Sequence, residues 1–266
     1  MTASLLAAPS PDPAMKTIAT LVSKIQKADY EGDRKALATL APQLDPFVSA
    51  GPLASRAFYW RGFALWRRAM NGFNENADAK DLERDLTAAA KDFTASKESD
   101  AGFADARPAA ASCLFSLAYL AREDAPKRQD YVARGVALMA EAAKMAPDNP
   151  RVLWIQGGGE WYRAAGNAEG QAKAIRTYER ALQISRRLKG TVKDPLEPSW
   201  GEPELLMSLA WSHLNAANRD LDAAELRAQA ALAIVPNWHY VRDILLPQIR
   251  AARSAPPSAT PAPSGP

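Results

Sequence analysis

Few residues in this chain could move a proton or hold a metal. His213 and His239 are its two histidines, and neither has a second histidine at metal-ligand spacing, so no zinc site is expected. His239 stands between Trp238 and Tyr240 with Asp243 four residues on, a spacing that lets a carboxylate hold an imidazole on one helical face. With Glu197 the pair would make an acid–base trio, but nothing in the spacing gathers the three. Gly157-Gly158-Gly159 invites comparison with a phosphate-cradling loop. No Lys-Ser or Lys-Thr follows it and no apolar strand precedes it, so a nucleotide site is not expected. Cys113 is the single cysteine, and within Cys113-Leu114-Phe115 it reads as a buried, inert thiol. The expectation is a non-enzyme with no cofactor and no metal.

Binding chemistry is better represented. Trp154, Gly157, Gly158 and Trp161 stand at i, i+3, i+4 and i+7, so two indoles flank a strip of bare backbone on one helical face. Glu160 and Arg163 lie at its rim. Three glycines in a helix cost about 2–3 kcal/mol relative to alanine. They need a compensating contact, which is either a neighbouring helix packed into the strip or a slot for an extended peptide or flat apolar ligand. Tyr59, Phe63 and Trp66 form a second aromatic stripe, with Arg61, Arg67 and Arg68 nearby. It reads either as core or as an aromatic–arginine anchor for a peptide or an acidic chain terminus. Arg186-Arg187 and Lys189 are explained by a solvated helix end favoured by the macrodipole.

The elements that must position these residues are helical. About a fifth of the 266 residues are alanine, while valine and isoleucine together number 16, too few for a large sheet. Hydrophobic residues make up 47% and charged residues 24%, which excludes a wholly disordered chain and a membrane bundle. A net charge of +3 is too small for the positive field of a nucleic-acid binder. No apolar run reaches the roughly 18 residues of a membrane span.

Several segments carry the same frame of small residues, apolar pair and proline. In 224–236, Ala224, Ala228 and Ala231 lead to Pro236. Ala174, Tyr178, Ala181 and Leu182 repeat the frame, as do Gly135, Met139, Ala142 and Pro147, with a degraded copy at Ala89, Phe93 and Ser96. Partner helices precede them, marked by Phe58, Gly62 and Leu65 and by Leu206, Leu209, Ala210 and His213. His213 takes a large-residue position there, as a hydrogen-bonded structural histidine. This frame resembles the tetratricopeptide repeat, with insertions in the turns. The stretch Asn149-Pro150-Arg151-Val152-Leu153, the connector 194–201 and the segment 238–243 resemble a group of bacterial tetratricopeptide-like proteins. That resemblance implies a helical solenoid and frequent export, and no activity.

The expected architecture is all-α: a right-handed solenoid of about five helical hairpins over 14–253, with a C-terminal capping helix interrupted by Pro247. Helices are expected near 14–28 and 33–44, then as pairs at 53–70 and 81–97, 108–122 and 128–145, 150–165 and 170–188, and 203–216 and 221–234. A proline-fixed connector covers 191–201. Residues 1–13 read as a frayed tail or as the remnant of an export signal, and 254–266 as a disordered Pro/Ser/Ala-rich tail. Export to the periplasm follows if the true start lies upstream, and a cytoplasmic location otherwise.

First helices of stacked hairpins line the groove of such a solenoid. The candidate groove residues are therefore Tyr59, Arg61, Trp66, Trp154, Gly157, Gly158, Trp161 and Arg163. The expected function is a non-catalytic scaffold that binds a protein or peptide segment, with self-association open. A periplasmic small-molecule-binding or transporter-accessory protein is the alternative.

Overall fold

The computed structural model describes residues 12–49 and 51–254, so the N-terminal segment 1–11 and the tail from 255 onward lie outside the described residues. Within them the chain folds into eleven α-helices and no strand. None of these helices is long and apolar enough to cross a membrane.

The helices are α1 (Pro13–Tyr30), α2 (Arg34–Leu40), α3 (Ala54–Asn74), α4 (Ala79–Ser99), α5 (Ala106–Leu120), α6 (Ala125–Met145), α7 (Pro150–Ala164), α8 (Ala168–Leu188), α9 (Glu202–Asn215), α10 (Leu221–Ile234) and α11 (Leu246–Ser254). Their starts are written in short polar residues. Asp33, Asp78, Asn149, Asn167 and Asp220 each accept a hydrogen bond from a first-turn backbone N–H through the side chain, satisfying donors that a helix start leaves open. The second expected helix is cut short. Pro42 and Pro46 remove backbone donors, and Ala41–Phe47 tightens into a 3-10 helix. At the other end, Pro247 does not interrupt the capping element. A π-helical segment, Tyr240–Leu245, runs directly into α11, and its wider turns accommodate a ring that has no N–H to donate.

Four of the expected hairpins form, α3 on α4, α5 on α6, α7 on α8 and α9 on α10, with α4 packed on α5 and α8 on α9; α2 packs on α3. One device recurs at the closest approach within two hairpins. Gly135 faces Phe115 and Gly157 faces Tyr178, each at a distance that leaves no room for a Cβ without movement of the ring, and Gly62 packs tightly against Ala89, Asp92 and Phe93 of α4. A glycine on one helix thus seats an aromatic ring from its partner.

The contacts cluster into two compact units where the sequence frame draws one domain. Unit 1 takes the chain to Asp29, then Asp33–Met145 and Gly190–Pro198; unit 2 takes Tyr30–Gly32, Ala146–Lys189 and Ser199 onward. In unit 1, Leu196 is buried and its carbonyl accepts from Trp60 Nε1 at 2.8 Å, so the proline-rich connector is part of that core. In unit 2, the Tyr30 hydroxyl donates to Glu204 at 2.6 Å and its ring packs edge-on against Trp238, 5.0 Å between centroids. Cys113 is buried in unit 1, where desolvation pushes its thiol well above the usual pKa.

Candidate functional site

The unit 1 candidates do not line an open surface. Tyr59 is 0% exposed and Trp66 1%, and both sit in an aromatic core with Trp60, Phe63 and Phe93. Arg61 is committed elsewhere. It makes a two-pronged bond to Asp92 at 2.8 and 2.6 Å and a further one to Asp45 at 2.8 Å. Its neighbours are likewise paired, Arg67 with Asp29 and Arg68 with Asp85. The correction has a clear cause. Helix α3 is buried around most of its circumference, and its arginines neutralise acids carried by α1 and α4 rather than waiting for a ligand. A helix of this kind reads as amphipathic in sequence because its charges look like a solvated face.

Unit 2 treats the other candidates differently. Gly157 is closed, because a Cβ there would meet Tyr178 Cε1 at 2.6 Å. At that position the helix-packing alternative describes the structure and the slot does not. Gly158 is more open, with the Tyr178 hydroxyl oxygen 3.6 Å from where its Cβ would sit. Trp154 and Trp161, one on each side of the strip, are partly exposed. Trp154 donates from Nε1 to Ser208 Oγ on α9 at 2.7 Å and packs edge-on against Trp200 at 5.5 Å. Trp161 packs edge-on against Trp211 of α9 at 5.3 Å. Arg163 is exposed beyond the strip, its guanidinium beside Gly159.

Together α7 and α9 therefore present a partly exposed aromatic stripe of Trp154, Trp161 and Trp211, with Met207 also partly exposed and Tyr162 80% exposed. Around it, charge is compensated. Glu160 is buried against α8, where desolvation pushes its pKa up, but hydrogen bonds from Thr177, Gln156 and Lys173 outweigh that and hold it below the ordinary carboxylate value. The stripe offers ring faces and N–H or O–H donors rather than an acid–base pair. Its chemistry is apolar contact and hydrogen-bond donation.

Sequence reasoning missed Trp211 and Tyr178 as site residues. A signal for Trp211 was present, since Trp161 and Trp211 are separated by the same number of residues as Ala174 and Ala224, which mark one position of successive repeats. The two indoles thus occupy equivalent places on successive first helices.

The acid–base residues fall in different units. Glu197 belongs to unit 1 and bonds Arg56, whereas His239 and Asp243 belong to unit 2, 2.8 Å apart. Asp243 is held well below the usual carboxylate range, first by the Arg242 guanidinium and then by His239. Burial lowers the pKa of His213. Among the described residues no cluster of His, Cys, Asp and Glu could hold a metal ion.

The two glycines differ in a way that stability measurements read directly. Gly157→Ala drives a methyl against a ring packed between two helices and is expected to cost about 1–3 kcal/mol. Gly158→Ala meets only ordinary contact and is expected to gain up to about 1 kcal/mol from helix propensity. Urea unfolding midpoints that moved together, in either direction, would show that Tyr178 does not rest on Gly157.

Compared with protein-family models and with curated proteins, this chain matches none.

Proposed function

We propose that the protein is a non-catalytic scaffold of the tetratricopeptide-like, right-handed solenoid kind, and that unit 2 binds an extended peptide segment across α7 and α9. The observation that carries this reading is the partly exposed Trp161–Trp211 pair, spanning two first helices that sit side by side. Tryptophans are among the residues that most often carry the energy of a protein interface. The fully paired arginines of α3 argue against an acidic terminus held in unit 1. Closure of Gly157 by Tyr178 narrows the apolar slot that motivated a small-molecule reading and so favours the peptide.

The test is selection of binding peptides from a displayed random library on the full chain, followed by titration of Trp161→Ala and Trp211→Ala variants. Each truncation is expected to weaken the selected peptides by about 30-fold, corresponding to about 2 kcal/mol, with the helical circular dichroism unchanged. Peptides that bound both variants as tightly as the parent would overturn the assignment of the face.

A further inference from the structure

Building on the peptide-binding reading, we propose that the α7–α9 face takes proline-rich segments, and that residues 255–266 of this same chain are its intramolecular occupant.

The first argument is chemical. Tyr178 is 6% exposed, and its hydroxyl oxygen lies 3.6 Å from where a Cβ on Gly158 would sit. Burial raises its pKa, so it stays protonated as a donor. Trp161 and Trp211 are partly exposed beside it, and each carries an indole N–H that can donate. A face made of rings and donors is complementary to a strand rich in acceptors and poor in donors. Proline supplies that strand, because it keeps its carbonyl, lacks an N–H and presents a flat apolar ring. The segment 255–266 reads Ala-Pro-Pro-Ser-Ala-Thr-Pro-Ala-Pro-Ser-Gly-Pro, with five prolines and no charged side chain. Proline-rich sequences in general favour extended conformers before binding, which lowers the ordering cost.

The second argument is positional. Ser254 closes α11, and Arg253 beside it donates to the Leu221 carbonyl at 3.2 Å and pairs with Asp222 at 2.8 Å. One residue before Leu221, the Asp220 N–H donates to the His213 carbonyl at 3.2 Å, and His213 lies two residues past Trp211 on α9. The last described residue, Ser254, therefore lies toward the end of α9 that carries Trp211. At about 3.1 Å per residue, a polyproline-type strand of twelve residues spans about 37 Å, enough to run over Trp211 and Trp161 to Gly158.

The test uses the full chain with a nitroxide on Ser264→Cys, the buried Cys113 being shielded from the label. Indole signals of Trp161 and Trp211 are assigned from Trp→Phe variants by 15N nuclear magnetic resonance. Both signals are expected to broaden in dilute solution, and replacing Pro256, Pro257, Pro261 and Pro263 by alanine is expected to restore them. A synthetic 255–266 peptide should bind that four-proline variant about tenfold more tightly than the parent, if the tail occupies the face nine-tenths of the time. Absence of broadening, or broadening that survives the proline substitutions, overturns the proposal. So does broadening that arises only when unlabelled 15N chains are mixed with spin-labelled ones, which would place a neighbour's tail on the face. If library-selected peptides shift these indoles while the tail does not, the intramolecular occupant falls and the peptide-binding reading stands; if neither shifts them, both fall.

Discussion

Replacing Trp66 by alanine is expected to cost about 3–5 kcal/mol of stability, the range for deleting a large aromatic from a packed core. The indole is 1% exposed and meets Phe63 and Phe93 edge-on, at 5.9 and 6.1 Å between centroids. Removing it deletes those contacts and leaves a cavity between α3 and α4, which are already in tight contact at Gly62. Trp66→Phe, which keeps a ring in place, should cost clearly less. Urea unfolding followed by far-ultraviolet circular dichroism measures both. A Trp66→Ala variant that kept its stability but lost binding to selected peptides would place this indole on a surface.

Asp29→Ala is expected to be of similar size, about 3–5 kcal/mol, for a different reason. The Asp29 carboxylate is 1% exposed and accepts two bonds from Arg67 Nε, at 2.9 and 2.8 Å, and one from Asn71 at 3.2 Å. Alanine removes the Asp29 carboxylate from beside the Arg67 guanidinium, itself only 8% exposed, so a mostly buried cation loses an ion-pair partner. The cost lies in the stranded cation more than in the lost attraction. Combining Asp29→Ala with Arg67→Met should therefore recover most of the loss, because the second change removes the charge and keeps an apolar stem of similar length. Equal unfolding midpoints for the single and double variants would show that Arg67 finds another partner.

These two substitutions bear on how much of the site could be read in advance. A stripe of Tyr59, Phe63 and Trp66 with arginines beside it has the same spacing whether it faces a ligand or a neighbouring helix. The pairing of Arg61 and Arg67 depends on Asp92 and Asp29, which lie 31 and 38 residues away. No local pattern specifies such partners. The glycine strip shows the same limit on a finer scale. Its helical spacing is correct in sequence, yet Gly157 is closed and Gly158 is more open because Tyr178 enters from α8 at one particular height. Trp211, by contrast, was accessible to a stricter use of the repeat register.

What the sequence determined by itself is what depends on neighbours along the chain. Alanine content and small-residue periodicity set helices and their pairing. Asp and Asn before the apolar frames set the helix starts, and prolines set the 3-10 helix and the non-helical connector. The tertiary structure decided which faces of those helices stay open. It buried α3 nearly all round, divided the contacts between two units, and left indoles partly exposed on α7 and α9. Helical periodicity fixes the direction in which a side chain leaves its own axis, but only the packed neighbours fix whether a ring, an ion pair or solvent occupies the space it enters.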